Sequence, residues 1–403
     1  MTMLDFHTAG ESHGKGLTVI VEGMPAKLPL TEADIETDLR RRQGGYGRSA
    51  RQKIEVDHAE IMSGVRHGMT LGSPIGLWIR NRVWEDWQEV MRIEPFEGEP
   101  KRLTRLRPGH ADLAGSMKYG FDDARNILER ASARETAARV AVGAVSRRLL
   151  AEFGIAVHSH TVIVGDICAA ESEGEPDWEA VEDSAVRCAD PAASERIVAA
   201  VDAAREAGDT LGGVFEVWAT GAPIGLGSHV QWDRKLDGQL AQAIMSIHSI
   251  KGVEIGGGFR VAQGPGSQAH DVILPQEQWQ GRAWRRASNH AGGLEGGITN
   301  GEPVVVRGAV KPISTLSNPL PSVDLLTGTE IKAHYERSDV SVVPAAGVVG
   351  EAMVCFVLAR ALLDKFGGDS LPETRRNYDS YINTIGPRGG AAEAPIAEET
   401  TET

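Results

Sequence analysis

DDARNILERASARETAARVAVGAVSRRLLAEF, residues 122–153, reads as one long helix. Ile127, Ala131, Arg134, Ala138, Ala141, Val142, Val145 and Leu149 recur at helical spacing, with alanine filling the gaps. So much alanine predicts a helix buried on several sides and packed closely against its neighbours. Around it stand β-branched runs bounded by Gly or Pro: 17–22 (LTVIVE), 75–80 (IGLWIR), 155–164 (IAVHSHTVIV), 213–220 (GVFEVWAT) and 303–310 (PVVVRGAV). Each has the pattern of a strand, so one or more sheets are expected. A capped helix starts after Thr31 and runs into an Arg-rich stretch. Others fit 192–207, 236–249 and 350–366, the last stopped by Gly367-Gly368.

The chain has 403 residues, 41% of them apolar, enough for a sizeable core. Its 42 Lys plus Arg face 56 Asp plus Glu, a formal net charge of -14. Long-range attraction to nucleic acid or an anionic membrane needs the opposite sign, so neither partner is expected and any bound anion must meet a local basic pocket. Apolar stretches such as 353–358 fall well short of the ~20 residues that cross a bilayer. Met1–Ser12 has neither a basic leader nor an apolar run, and a cytoplasmic chain is expected. Three separated cysteines, Cys168, Cys188 and Cys355, fit reduced buried thiols. Neither HSH at 158–160 nor the scattered histidines have metal-site spacing, and no metal is expected. SGVRHGMTLGSPIGLWIR, TLGGVFEVWATGAPIGLG and GGLEGGITNGEPVVVRG each set Gly turns beside a strand, which hints at an internal duplication. GPRGGAAEAPIAEETTET, from Gly386 onward, offers nothing large to bury and is expected to be disordered.

The densest charge feature is RRRQGGYGRSAR, with Arg40, Arg41, Arg42, Arg48 and Arg51 around three glycines. An isolated Arg triplet is usually a solvated helix end. Here guanidinium forks beside glycines that admit an anion to the backbone point to a phosphate site. In RLRPGHAD the Pro108-Gly109 turn presents His110 beside Arg107 and Asp112. AGESHG at 9–14 carries Ser12 and His13. It does not fit a nucleophile elbow, because the turn precedes a strand where an elbow should follow one. In ERASARE, Arg130 and Arg134 are i,i+4 partners, matched either to anions or to Glu129 and Glu135. The C-terminal Gly loops and hydroxyls suit a phosphate tail or a flat cofactor. With neither GxGxxG nor GxxxxGK(S/T) present, a Rossmann or phosphate-loop nucleotide site is not supported.

Taken in order, AGESHG (9–14), RRQGGYGR (41–48), SGVRHG with LGSPIG (63–76), RPGHAD with KYGFDDAR (107–125), ERASARETAARV (129–140), GDTLGGV (208–214), IKGVEIGGGF (250–259), SNHAGGLEGGITNG (288–301), VKPIST (310–315) and RSDVSVVPA (337–345) resemble the chorismate synthase family. The match runs from about Asp5 to about Asn377. The resemblance implies an α+β fold with long helices between antiparallel sheets, one catalytic domain over 1–385, and a homotetramer. It implies a lyase that converts 5-enolpyruvylshikimate 3-phosphate to chorismate and phosphate by anti-1,4-elimination, using reduced FMN without net oxidation. On the residues that match, substrate arginines fall on Arg42 and Arg48, with Arg51, Arg107 and Arg134 as further anion partners. Flavin contacts fall on Arg130, Ala131, Ser132, Gly296, Lys311, Pro312, Ile313, Ser314, Thr315 and Arg337. Where the family usually has Asn-Ala or Gln-Ala, this chain has His248-Ser249. The family's two histidines fall on His13, toward the leaving phosphate, and His110, toward the anionic reduced flavin; its carboxylate falls on Asp339, toward a flavin ring nitrogen. An external flavin reductase is expected, with NADPH as an indirect reductant.

Two readings compete with this one. A non-catalytic phosphometabolite or RNA binder built on residues 40–51 conflicts with the acidic charge and the 5% aromatic content. A phosphotransferase conflicts with the missing phosphate-loop lysine motif.

Overall fold

Period-two burial builds the first sheet. Leu17, Val19 and Val21 are buried, as are Ile75, Leu77 and Ile79, while Thr18 and Ile20 face outward. This sheet comprises β1 (Asp5–Ala9), β2 (Gly16–Glu22), β3 (Ala59–Ser63) and β4 (Ile75–Arg80), in the antiparallel order β1-β2-β4-β3. The second comprises β5 (Ala156–Val164), β6 (Ile167–Cys168), β7 (Gly213–Thr220), β8 (Ile250–Ile255) and β9 (Val304–Val310), in the antiparallel order β8-β9-β7-β5-β6. The computed structural model describes residues 4–48, 56–95, 97–98, 101–170, 174–275, 284–336 and 338–386. The tail expected to be disordered lies outside the described residues from 387 onward.

Between the sheets lie α1 (Glu32–Gln43), α2 (Thr136–Ala151), α3 (Leu236–Met245) and α4 (Val343–Phe366). Helix α2 packs on β2 and α4 packs on β5 and β7, so the α2/α4 contact is the centre of the molecule. A methyl added at Gly143 would lie 2.2 Å from Cβ of Ala352, so glycine in mid-helix lets the two backbones close on each other. The expected helix over 350–366 begins earlier, at Val343, with Pro344 in its first turn. Contrary to the expectation that no apolar stretch approaches bilayer length, α4 is long and apolar enough to span one. Burial inside the fold takes 94% of its most apolar window, which makes it the core helix.

Strands β1, β3 and β8 escaped the sequence pattern because DFHTA, AEIMS and IKGVEI are short and partly polar. Cys168 is exposed on the short edge strand β6, unlike the buried Cys188 and Cys355. Of the three Gly-strand segments, the first and third share an arrangement. A two-residue hairpin precedes the strand in each, and Thr70 and Thr299 anchor it alike. Thr70 Oγ1 donates to Pro25 O at 2.6 Å and accepts from Leu28 N at 2.9 Å. Thr299 Oγ1 donates to Pro223 O at 2.6 Å and accepts from Leu226 N at 2.8 Å. The second segment instead forms β7 and the PIGL turn, the counterpart of β2 and PAKL.

A buried ion network ties α1 to both central helices. Glu351, fully buried, accepts from Arg41 at 2.7 and 2.9 Å, Arg147 at 2.6 Å, Arg187 at 3.3 Å and Ser159 at 2.7 Å. Burial works against its charge, but Arg41 and Arg147 overcome that and hold the carboxyl well below its ordinary 4.5. A depressed folded-state pKa gives stability that is fully present above about 4.5 and lost as pH falls. Glu351→Gln should therefore cost on the order of 3–5 kcal/mol at neutral pH. Urea titrations of both proteins should show that gap narrowing as pH drops below 4.5. Gly143→Ala should cost about 1–3 kcal/mol by forcing α2 and α4 apart, read as a lower denaturation midpoint.

Candidate active site

Three consecutive arginines on a helix point about 100° apart, and the structure sends each to a different place. Arg40 lies in solvent beside Glu36, Arg41 joins the Glu351 network, and Arg42 enters a cavity. There Arg42 Nη2 meets Asp57 at 2.6 Å and Nη1 meets Thr136 at 3.3 Å, while its buried Nε has no hydrogen-bond partner. The glycines that follow serve close packing instead of cradling an anion. Gly45 faces Pro344, and Gly47 (φ +90°) packs on Val201 and accepts from Val340 N at 2.8 Å. That contact sets Arg48 beside Asp339 at 3.2 Å, with the arginine's Nε again unpartnered. Burial pulls the Arg48 pKa below its ordinary value although Asp339 opposes the shift. Arg51 lies outside the described residues.

The long helix expected over 122–153 is broken at Ser132. The first part ends at Ala131, Ser132 is extended (φ −71°, ψ 143°), and a short turn, Ala133–Glu135, leads into α2. Neither Pro nor Gly causes the break. Ser132 Oγ leaves the helical pattern to accept from Arg134 N at 3.3 Å and to donate to Ser12 Oγ at 3.1 Å. Arg130 and Arg134 therefore do not share a face. Arg130 turns to Thr8 and Gly10 O, outside the cavity wall, whereas Arg134 is buried in it, 2.5 Å from Asp57 and 2.8 Å from Asn81 Oδ1. Asp57 thus bridges Arg42 and Arg134. Burial would raise its pKa, but the two guanidiniums hold it below the ordinary range.

His13 stands at the tip of the β1–β2 hairpin, whose first strand the sequence pattern missed. Asn81 Nδ2 pins that tip by donating to Glu11 O and Gly14 O. The buried His13 ring meets Glu129 through Nδ1 at 3.0 Å and stacks on Trp87 with ring centroids 4.0 Å apart. His110 follows Gly109 (φ +77°) and meets Asp112 through Nδ1 at 2.5 Å. Asp112 also holds Arg107 at 2.9 and 3.0 Å, and Arg107 reaches Thr315 at 3.4 Å. Ser249 adopts φ 69°, a strained conformation for a residue with a side chain, and its carbonyl accepts from Lys311 N at 2.9 Å, joining two stretches of the wall. Burial, with Lys251 adding to it, lowers the Lys311 pKa. Burial likewise lowers that of His248, against the pull of Glu135.

These segments enclose a cavity of about 360 Å³. Among the described residues, Arg42, Arg48, Arg107, Arg134 and Lys311 line it against two carboxylates, Glu336 and Asp339, a local excess of positive charge in an acidic chain. His13, His110, Ala131, Ser132, His248, Ser249, Ile313, Ser314 and Thr315 also reach it. Pro312 does not line the wall, and Arg337 lies outside the described residues. Gly296 is not brought there: it sits in the hairpin beside the N-terminal end of α3, near His229, about 15 Å along that helix from the end that meets the cavity. Asp57, Asn81 and Glu336 carry no sequence signal of their own, since only folding brings them to the arginines. Glu129 lay within a noted motif but pairs with His13 and Arg125, not with Arg130 or Arg134.

The family model described as chorismate synthase matches residues 4–363. A chorismate synthase of Moorella thermoacetica is 59% identical over 389 residues, covering 95% of this chain and 100% of the relative. One of Aquifex aeolicus is 56% identical, with 95% and 98% covered. A solved structure described as a crystal structure of chorismate synthase superposes with a TM-score of 0.76 at 47% identity, covering 95% of this chain and 98% of that one. Similarity of this depth over nearly the whole length of both partners places the chain in the chorismate synthase family of carbon–oxygen lyases.

Proposed function

We propose that the cavity is where the chain eliminates phosphate from 5-enolpyruvylshikimate 3-phosphate to give chorismate. The observation that carries this is the excess of positive charge in one enclosed site. In particular, Arg42 and Arg48 each keep a buried Nε–H that has no acceptor among the described residues. A substrate with one phosphate and two carboxylates supplies the missing acceptors, and each charge-assisted hydrogen bond is worth about 1.5–3 kcal/mol. Arg134 and Arg107, held by Asp57 and Asp112, complete a rigid anion clamp that costs little reorganisation on binding.

The donor set also fits reduced FMN. Ala131 and Ser132, His248 and Ser249, and Lys311 with Ile313 to Thr315 offer hydroxyls, backbone amides, an ammonium and apolar surface within one wall. When bound, the dihydroflavin supplies electron density that assists departure of an allylic phosphate without net oxidation. His13 hands a proton to the departing phosphate oxygen. His110, fixed by Asp112, would stand beside the flavin, and Asp339 lines the same cavity beside Arg48. The same reading carries a homotetramer and an external flavin reductase that draws on NADPH.

Anaerobic assays with dithionite-reduced FMN should show one phosphate released per chorismate. His110→Ala should lower turnover by about 10²–10⁴-fold, and Arg48→Ala should lower kcat/KM by about 10–100-fold through one or two lost charge-assisted bonds. Wild-type rates in both variants would show that the chemistry lies elsewhere. Because the Lys311 ammonium titrates below its ordinary 10.5, its charge is lost as pH rises through that lowered value. Anaerobic flavin titrations from pH 7 to 10 should therefore show affinity falling on the alkaline side, and Lys311→Arg should flatten that fall because guanidinium stays charged.

A further inference from the structure

We propose that Glu129 is the positioning residue for His13: it locks the ring as the Nδ1–H tautomer and leaves Nε2 to meet the substrate phosphate. The inference deepens the role given to His13 above and rests on that reading. Glu129 is buried and grips the hairpin tip at three points. Its backbone carbonyl accepts from Ser12 N at 3.1 Å, Oε2 accepts from His13 N at 2.8 Å, and Oε1 lies 3.0 Å from His13 Nδ1. Oε1 also accepts from Arg125 Nη1 at 2.9 Å. Burial acts to raise the Glu129 pKa, but His13 and Arg125 overcome that and keep it below the ordinary range. An ionised carboxylate has acceptors only, so Nδ1 must carry a proton. Trp87, stacked on the ring at an interplanar angle of 28°, opposes its rotation, and Arg125 lies over the same indole at 5.0 Å.

His13 lines the cavity, and with Nδ1 committed to Glu129 the nitrogen that serves the phosphate is Nε2. For this step the ring enters as an imidazolium with a proton on each nitrogen: as the carbon–oxygen bond breaks, its electron pair leaves with the phosphate oxygen and the Nε2 proton passes to that oxygen. The ring is left neutral, its Nδ1–H still on Glu129. His110 is anchored through Nδ1 by Asp112, but that carboxylate is shared with Arg107 of the anion clamp. Glu129 has no partner in the clamp, which makes it the cleaner test.

Imidazole ¹⁵N spectra of the full-length wild-type protein, at a pH where His13 is neutral, should place its proton on Nδ1. His13→Ala identifies the signal. Glu129→Leu should undo this, because both carboxylate oxygens lie within reach of Nδ1, at 3.0 and 3.1 Å, and only an apolar side chain removes every acceptor, letting the proton move to Nε2. Turnover should fall on the order of 10²–10⁴-fold with KM for the phosphorylated substrate changed only a few-fold, as when a catalytic histidine is held in the wrong tautomer. A wild-type His13 protonated on Nε2 would overturn the proposal, and so would a Glu129→Leu protein that keeps both the Nδ1–H signal and wild-type turnover. The wild-type spectrum decides even if the variant does not fold. Undiminished phosphate release by His13→Ala would instead remove His13 from the chemistry, a failure of the underlying reading that is distinct from the tautomer result.

Discussion

Arginines crowd the wall of a half-closed cavity only if counter-charge stands behind them, and the placement of that counter-charge organises this molecule. Asp57 holds Arg42 from the end of α1 and Arg134 from the break before α2. Asp112 holds Arg107, and Asp339 meets Arg48. Each carboxylate takes part of a guanidinium fork, and all four arginines line the cavity. The alternative, unpaired buried cations, would carry a desolvation penalty of several kcal/mol each.

The same logic recurs deeper in the fold, where it serves assembly. Glu351 sits in the most apolar helix, and Arg41, Arg147 and Arg187 converge on it from three different segments. Between the two networks runs the close α2/α4 contact at Gly143 and Ala352. It fixes the separation of the sheets, and hence the positions of the hairpin tip that carries His13 and of the loops that carry His110 and Lys311. Arg41 and Arg42 are neighbours in sequence, yet one stabilises the core and the other faces the site. A helix makes that division automatic, because adjacent side chains diverge by about 100°.

Carboxylates also orient the histidines. Glu129 and Asp112 each take Nδ1, and both rings line the same cavity. The site is preorganised by ionic contacts of its own chain, and this is the condition under which oriented charges act most strongly on a reacting bond.

Sequence by itself determined a great deal. Alternating apolar residues specified β2, β4, β5, β7 and β9, and helical spacing with alanine specified the central helices. Gly109 marked the His110 turn, and the ordered motifs marked the family. Those signals are local, because period, capping and turn chemistry are properties of neighbours along the chain. Tertiary structure decided the rest. It broke the long helix at Ser132, where a hydroxyl found Ser12 across the hairpin, and so sent Arg130 and Arg134 apart. It turned Gly45 toward Pro344 and Gly47 toward Val201 instead of toward an anion, and it kept Gly296 at the far end of α3. Above all it chose Asp57 and Glu129 as partners, since a buried charge is satisfied by whatever opposite charge the fold brings within reach, and that distance is not written in sequence separation.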